Sequence, residues 1–148
     1  MPGADGGTVL DRREDPERPE ILLRCGASGP EVWLPGRHLL AVFELDAEWL
    51  VFSDHDIPEE ELLEICLVFE GRIADRASLA FPGWASAGIA PEREGGRRFG
   101  FDFPPGRRWR LEIGAQPALI RPRLGVHRDG RWRSRLWLSQ VERDAESP

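Results

Sequence analysis

The sequence predicts an all-β protein, either an antiparallel β-sandwich or a partly open barrel of about 8–10 short strands. Three observations support this. Apolar and polar residues alternate cleanly in the last third of the chain, where Phe99, Phe101 and Phe103 share one face of a strand. Gly and Pro recur between short apolar segments at the spacing of turns. No long amphipathic helix pattern occurs, so we expect at most one short helix, near 57–65.

The candidate strands follow one another between turns that contain Gly, Pro or Asp. In order, they cover residues 20–25, 31–34, 39–45, 48–52, 62–70, 72–81, 98–103, 107–113, 119–127 and 131–138. The 39–45 strand is apolar on both faces, which predicts the middle of a covered sheet or an interface with another subunit. Asp129-Gly130 carries the strongest hairpin-turn signal, because both residues tolerate a positive φ.

The segment 56–70 fits two structures. Asp56 and Pro58 resemble a helix start, whereas the alternation in 62–70, with its β-branched and aromatic residues, favours a strand. We therefore expect one helical turn near Pro58 followed by a strand, with a short helix as the alternative.

Composition divides the chain into one domain between two tails. Residues 1–19 are rich in Gly, Pro and charge and are predicted to be a flexible tail; 20–143 form one β domain, and 144–148 form a second tail. Residues 82–96 are predicted to be a long irregular loop, in which Trp84 either closes one end of the core or binds a partner.

The chain has no membrane-length apolar segment and no secretory signal at its start, so we expect a cytoplasmic protein that does not enter a membrane. Its two cysteines, Cys25 and Cys66, lie in apolar segments and fit neither a CxxC motif nor a zinc motif. We expect buried thiols, although the sequence leaves open whether the two approach each other.

All 20 basic residues are Arg, and the chain contains no Lys and no Tyr. We attribute the missing Lys to a GC-rich genome and consider the chain typical of small bacterial all-β proteins. Lysine Schiff bases, P-loop lysines and catalytic tyrosines are excluded. Acid–base catalysis would therefore have to use His38, His55, His127 or a carboxylate.

Charge is unevenly distributed. Residues 1–92 carry 7 Arg and 19 Asp or Glu, a balance of −12, whereas 93–135 carry 12 Arg and 4 acids, a balance of +8. Either the two regions pair within the folded domain, or the Arg residues form a face for an anionic partner. The candidate binding residues are those of this Arg-rich face together with the loop tryptophan: Arg108, Arg110, Arg131, Arg133, Arg135 and Trp84.

We do not expect nucleic acid to be that partner. Trp109 and Trp132 lie on the apolar phase of their strands, opposite the Arg residues, and only Trp137 shares the Arg phase. The net charge of −6 is also unlike that of most nucleic-acid-binding proteins. An acidic protein surface is the better expectation.

The triplet Asp54-His55-Asp56 is the candidate for catalysis, since a carboxylate can orient an imidazole and change its proton affinity. Neighbours on a strand point to opposite faces, so an acidic surface turn is the alternative. No metal-binding motif, nucleophile elbow or glycine-rich phosphate loop is present, and no cofactor is expected.

The sequence therefore favours a non-catalytic binding module for a protein partner or for a second copy of itself. One alternative is a metal-assisted or acid–base enzyme centred on Asp54, His55 and Asp56. The other is a small-ligand-binding barrel with the 82–96 loop at its mouth.

Overall fold

The computed structural model describes residues 6–56, 60–82, 89–123 and 125–142. These residues form strands and connections, without a helix in the described ranges. In chain order the strands are β1 (Gly7–Arg13), β2 (Glu20–Cys25), β3 (Glu31–Pro35), β4 (His38–Leu45), β5 (Glu48–Asp54), β6 (Glu60–Phe69), β7 (Arg72–Pro82), β8 (Glu92–Gly95), β9 (Arg98–Asp102), β10 (Arg108–Leu119), β11 (Val126–His127) and β12 (Arg133–Gln140).

The strands form three antiparallel sheets. The small sheet has the order β1-β2-β3, the central sheet β11-β7-β6-β5-β4, and the outer sheet β12-β10-β9-β8. Within the described ranges none of the three closes into a barrel. The predicted all-β sandwich is confirmed, whereas the barrel on which a ligand-binding alternative depended is not formed, because the sheets pack face to face.

The central sheet is covered on both faces, and this explains its two-sided apolar pattern. Leu50 and Phe52 of β5 belong to a core shared with the outer sheet, in which the Phe52 and Phe101 rings lie 5.5 Å apart between centroids. Val51 of β5 belongs to a second core shared with the small sheet, together with Leu23. Alternate residues of one strand therefore fill different cores, and both covering layers come from the same chain.

Buried polar contacts join the outer sheet to the central sheet. The Arg135 guanidinium donates two hydrogen bonds to the Glu48 carboxylate, at 2.7 and 2.8 Å. The buried Asp75 carboxylate accepts hydrogen bonds from Ser134 Oγ and from the backbone N–H of Arg135, both at 2.7 Å. Hydrogen bonding and charge attraction from Glu48 raise the pKa of Arg135 against the opposing effect of desolvation. The acidic and basic regions of the sequence meet directly at this junction.

The tail predicted for residues 1–19 is corrected by β1, which pairs with β2 along residues 7–13. Composition does not reveal this strand, because it lies at the edge of its sheet and is exposed over most of its length. It is held by main-chain hydrogen bonds, which any sequence can form. Val9 alone among its side chains packs, partly buried, against the second core. The tail predicted for 144–148 lies outside the described residues.

Three further boundaries differ from the prediction. β6 begins at Glu60 and is a strand throughout, since β5 and β7 pair with it on both sides; the predicted helical turn at 57–59 lies outside the described residues. The strand β8 occupies 92–95, inside the predicted loop, and all four of its residues are exposed. β10 continues through Pro117 to Leu119, so that only Val126–His127 of the predicted 119–127 strand forms a separate one.

A turn forms at Asp129-Gly130 as predicted, but the predicted hairpin does not, because β11 pairs with β7 and β12 pairs with β10. Both residues have a positive φ, 55° and 72°, and the backbone N–H of Arg131 donates to the carbonyl of Arg128 at 3.0 Å. The turn carries the chain from the central sheet to the outer sheet. Trp132, predicted to face the core, is instead 66% exposed because β12 begins only at the next residue.

Candidate functional site

His55 follows the last residue of β5 and lies buried beside the central sheet. Its Nε2 atom is 3.0 Å from Oε1 of Glu64, a buried carboxylate in the middle of β6. Glu64 faces the second core because it alternates with Leu63 and Ile65, which fill the first core. The imidazole is therefore held by a carboxylate nine residues away in the sequence.

Glu64 accepts every hydrogen bond that its two oxygens need in this buried position. The guanidinium of Arg76 donates through Nε at 2.9 Å and through Nη2 at 2.8 Å, and Ser78 Oγ donates at 2.6 Å. Ser78 is the register partner of Glu64 across β6 and β7, so strand pairing places the hydroxyl at the carboxylate. We call His55, Glu64, Arg76 and Ser78 the Glu64 cluster.

The Glu64 carboxyl remains ionised in this cluster. Burial by itself raises its pKa, but the hydrogen bonds from His55, Arg76 and Ser78 and the positive charge of Arg76 outweigh burial and lower the pKa to about 2. The same contact raises the pKa of Arg76 above its usual value. The ionised Glu64 is thus the acceptor in its contact with Nε2 of His55.

The two neighbouring carboxylates of the sequence triplet do not converge on His55. Asp54 is buried and lies 2.9 Å from Nδ1 of His38, through its Oδ1 atom. Asp56 is exposed and has a positive φ of 47°. Alternation along the strand separates neighbours, which corrects the expectation that Asp54 and Asp56 act with His55. In the described part of the chain, no three His, Cys, Asp or Glu side chains are placed to hold a metal ion.

The Glu64 cluster opens into a cleft lined by residues from both the small sheet and the central sheet. Its volume is about 630 Å³, within the usual range for small-molecule sites. The lining residues are Glu17, Arg18, Pro19, Glu20, Trp33, Pro35, His55, Leu62, Glu64, Ile73, Arg76 and Asp129.

Most residues of the predicted Arg-rich face are used in contacts within the protein. Arg108 and Arg110 pair with Glu94, at 3.2 and 3.4 Å, Arg131 lies 3.5 Å from Asp75, and Arg135 binds Glu48 as described above. The guanidinium carbon of Arg133 lies 4.6 Å from the ring centroid of Trp132. Trp84, the remaining candidate, lies outside the described residues.

A second concavity, which we call the β10–β12 groove, lies at one end of the outer sheet. It has a volume of about 480 Å³ and combines apolar side chains with three arginines and the carboxylate of Glu112, which pairs with Arg98 at 3.1 Å. Its principal residues are Leu119, Ile120, Arg121, Arg123, Arg128 and Trp137. Leu119 is 69% exposed and Trp137 is 42% exposed, so large apolar surfaces face solvent here.

Sequence reasoning missed Glu64, Arg76 and Ser78 as site residues. The available signal was the interruption of an apolar strand, because Glu64 stands between Leu63 and Ile65. Burial of a carboxylate requires hydrogen-bond donors close to it, so a carboxylate inside an apolar strand indicates a polar cluster. Pairing of β6 with β7 supplies them.

The two cysteines are free and buried, and both belong to the second core. Burial raises the pKa of the Cys25 thiol to about 11, and burial together with the charge of Glu64 raises that of Cys66 further. We expect neither thiol to react with a disulfide reagent at neutral pH in the native protein, and both to react once it is denatured. Fast native labelling of Cys66 would contradict its placement.

No described helix is long and apolar enough to cross a membrane. Comparisons of the chain with protein-family models, with curated proteins and with solved structures found no match.

Proposed function

We propose that the protein is a non-catalytic binding module that holds an acidic, partly apolar segment of a partner protein in the β10–β12 groove. The observation that carries this proposal is the exposure of Leu119 and Trp137 beside Arg121 and Arg123, which form no ion pair within the described part of the chain. Exposed aromatic and aliphatic groups next to Arg are typical of protein interfaces. Trp132, 66% exposed, lies next to the groove along the chain, and its carbonyl accepts from the backbone N–H of Ile120.

The charge of the groove supports an acidic partner. Arg121 and Arg123 are exposed and form no ion pair with any residue of the described ranges. Arg128 is half-buried; it donates to Ser134 Oγ and to the carbonyl of Leu136, and its Nε atom is buried without an acceptor. Desolvation lowers the pKa of Arg128, although the charge of Asp75 opposes this effect. An incoming carboxylate would supply the missing negative charge.

One observation that favoured self-association, the two-sided apolar pattern of the central strands, no longer does so. The two-sided apolar strands that suggested a subunit interface are covered by the small and outer sheets of the same chain. The β10–β12 groove is still exposed. Because it is basic, it favours an acidic segment over the same basic groove of a second copy. A second copy of this chain is therefore an outcome that the experiment must distinguish.

The test uses a fluorescently labelled peptide in which Asp and Glu alternate with Leu and Phe. We expect it to bind, and we expect Arg123→Glu to weaken binding by about tenfold or more, since charge reversal converts attraction into repulsion. Leu119→Ser should weaken binding by about fivefold while leaving stability unchanged, because Leu119 is 69% exposed. Fluorescence polarisation measures both effects.

Arg72→Glu is the matched control, since Arg72 is exposed on β7 and lies outside the groove. If Arg72→Glu and Arg123→Glu lower the affinity for the peptide equally, binding is a non-specific charge attraction and the proposal is overturned. Light scattering of the unliganded protein adds the second criterion. A dimer that dissociates on Arg123→Glu would identify a second copy as the occupant and would also overturn it.

A further inference from the structure

We propose that the partner segment binds as an added β-strand, which extends the outer sheet beyond the free edge of β12. The inference rests on the proposed function, because it specifies the conformation of the acidic segment that the β10–β12 groove holds. An extended segment on an exposed sheet edge gains affinity from main-chain hydrogen bonds and specificity from its alternate side chains. β12 is an end strand of the outer sheet, so one of its sides has no neighbouring strand within the described ranges.

The pairing of β12 with β10 shows which backbone groups face the free edge. The backbone N–H of Val141 donates to the carbonyl of Arg108 at 2.9 Å, so these two residues are a hydrogen-bonded pair. In an antiparallel ladder, such pairs alternate with pairs whose N–H and C=O groups point away from each other. In the register of β10 and β12, the β12 residues that direct their backbone groups to the free edge are therefore Leu136, Leu138 and Gln140.

Side chains of the protein occupy this edge at Leu136. Its backbone N–H donates to Ser134 Oγ at 3.0 Å, and its carbonyl accepts from Nη1 of Arg128 at 2.8 Å. No side chain of the described part of the chain bonds in this way to the backbone of Leu138 or Gln140. The two residues together offer two donors and two acceptors to a short added strand.

The free edge borders the β10–β12 groove. Arg128 lines the groove and also holds the outward carbonyl of Leu136, while Leu138 belongs to the same lining. Arg121 and Arg123 complete the basic part of this lining. A strand that pairs with β12 therefore runs along a groove whose arginines attract carboxylates on its alternate residues.

β12 also lacks the charges that protect two other edge strands of this protein. Proteins commonly place charged side chains on exposed edges, because charge disfavours pairing with another strand. Three of the seven residues of β1 and three of the four residues of β8 are charged. The stretch Leu-Trp-Leu-Ser-Gln at 136–140 carries no charge, and its Trp137 is 42% exposed. This part of the edge is open to pairing in a way that β1 and β8 are not.

The first test uses the labelled peptide of alternating acidic and apolar residues in three forms. One is unmodified, one is N-methylated at its even-numbered residues, and one at its odd-numbered residues. An added strand uses every second N–H, so we expect one methylated form to bind about tenfold or more weakly and the other to bind nearly as well as the unmodified peptide.

These affinities separate the inference from the proposed function. If the unmodified peptide binds and Arg123→Glu weakens it, but both methylated forms bind equally, the added strand is overturned and the proposed function stands. Absence of binding by the unmodified peptide would overturn both.

Amide hydrogen exchange measured by NMR locates the added strand. We expect saturation with the unmodified peptide to slow exchange of the Leu138 and Gln140 amides by about tenfold or more. The Ser139 amide is the internal control, since it points to β10 and is already paired. Unchanged exchange at Leu138 and Gln140 under saturation would contradict the inference.

Two substitutions at one position test the outward N–H. Gln140→Pro removes it without removing a hydrogen bond between β10 and β12, and Pro is tolerated on edge strands. We expect Gln140→Pro to weaken peptide binding by about fivefold, whereas Gln140→Ala, which keeps the N–H, should bind as the wild type does. Equal affinities of the two variants would count against the added strand. An unliganded dimer that dissociates on Gln140→Pro would identify β12 of a second copy as the occupant and would also overturn it.

Discussion

Replacement of Glu64 by Ala is expected to lower the free energy of unfolding by about 3–5 kcal/mol, the usual consequence of removing one partner of a buried ion pair. The change leaves the guanidinium of Arg76 and the hydroxyl of Ser78 without their acceptor. It also removes the only hydrogen bond of the His55 ring within the described residues. Urea unfolding at neutral pH measures the loss.

Glu31→Ala is the matched control for this prediction. Glu31 pairs with Arg24 at 3.0 Å, but both side chains are exposed, 49% and 39% respectively. An exposed pair contributes less than about 1 kcal/mol. Similar losses for Glu31→Ala and Glu64→Ala would show that Glu64 is solvated, contrary to the structure.

The same residue predicts a dependence of stability on pH. The pKa of Glu64 is lowered from 4.5 to about 2 in the folded protein, so the folded state binds its proton less tightly than the unfolded chain does. The stabilisation is therefore complete above about pH 4.5 and is lost as the pH falls towards 2. The difference corresponds to about 3 kcal/mol. In urea titrations, Glu64→Gln should lose less stability than the wild type over this interval. Parallel pH profiles for the two proteins would contradict the assignment.

Trp109→Ala is expected to destabilise the protein by about 3–5 kcal/mol, because it empties the largest fully buried side-chain position of the first core. Trp109 is 0% exposed and faces the central sheet from β10. Its indole N–H also donates to the carbonyl of Phe103 at 2.6 Å. Loss of the ring leaves a cavity between the two sheets and an unsatisfied carbonyl.

Trp132→Ala provides the control with the same chemical change. Trp132 is 66% exposed, so its removal should change the free energy of unfolding by less than about 0.5 kcal/mol. Thermal unfolding monitored by circular dichroism compares the two variants directly. A larger loss of stability for Trp132→Ala than for Trp109→Ala would contradict the placement of Trp109 in the core.

Alternation of apolar and polar residues predicted burial correctly wherever a strand has one face exposed to solvent. Phe99 and Phe101 of β9, and Trp109 and Leu111 of β10, are buried as their spacing predicts. The same analysis failed for β1 and β8, whose residues are mostly exposed. An edge strand is held by main-chain hydrogen bonds, which leave little trace in the apolar pattern.

The candidate site was predicted only in part. His55 was selected because carboxylates flank it, but the carboxylate that holds it is Glu64, on the next strand. Strand pairing decides this, because Ser53 and Ser78 face Glu64 across the sheet while Asp54 turns to His38. A contact between residues nine or more positions apart depends on register, which the local pattern around His55 does not contain.

The sequence by itself determined the all-β class, the strand-rich middle of the chain and the Asp129-Gly130 turn, because these follow from local alternation and from residues that tolerate a positive φ. Tertiary structure alone decided that three layers form, that the arginines of the predicted face are largely paired internally, and that His55 lines a cleft with Glu64. These outcomes depend on which sheet faces which, and that is a long-range property of packing.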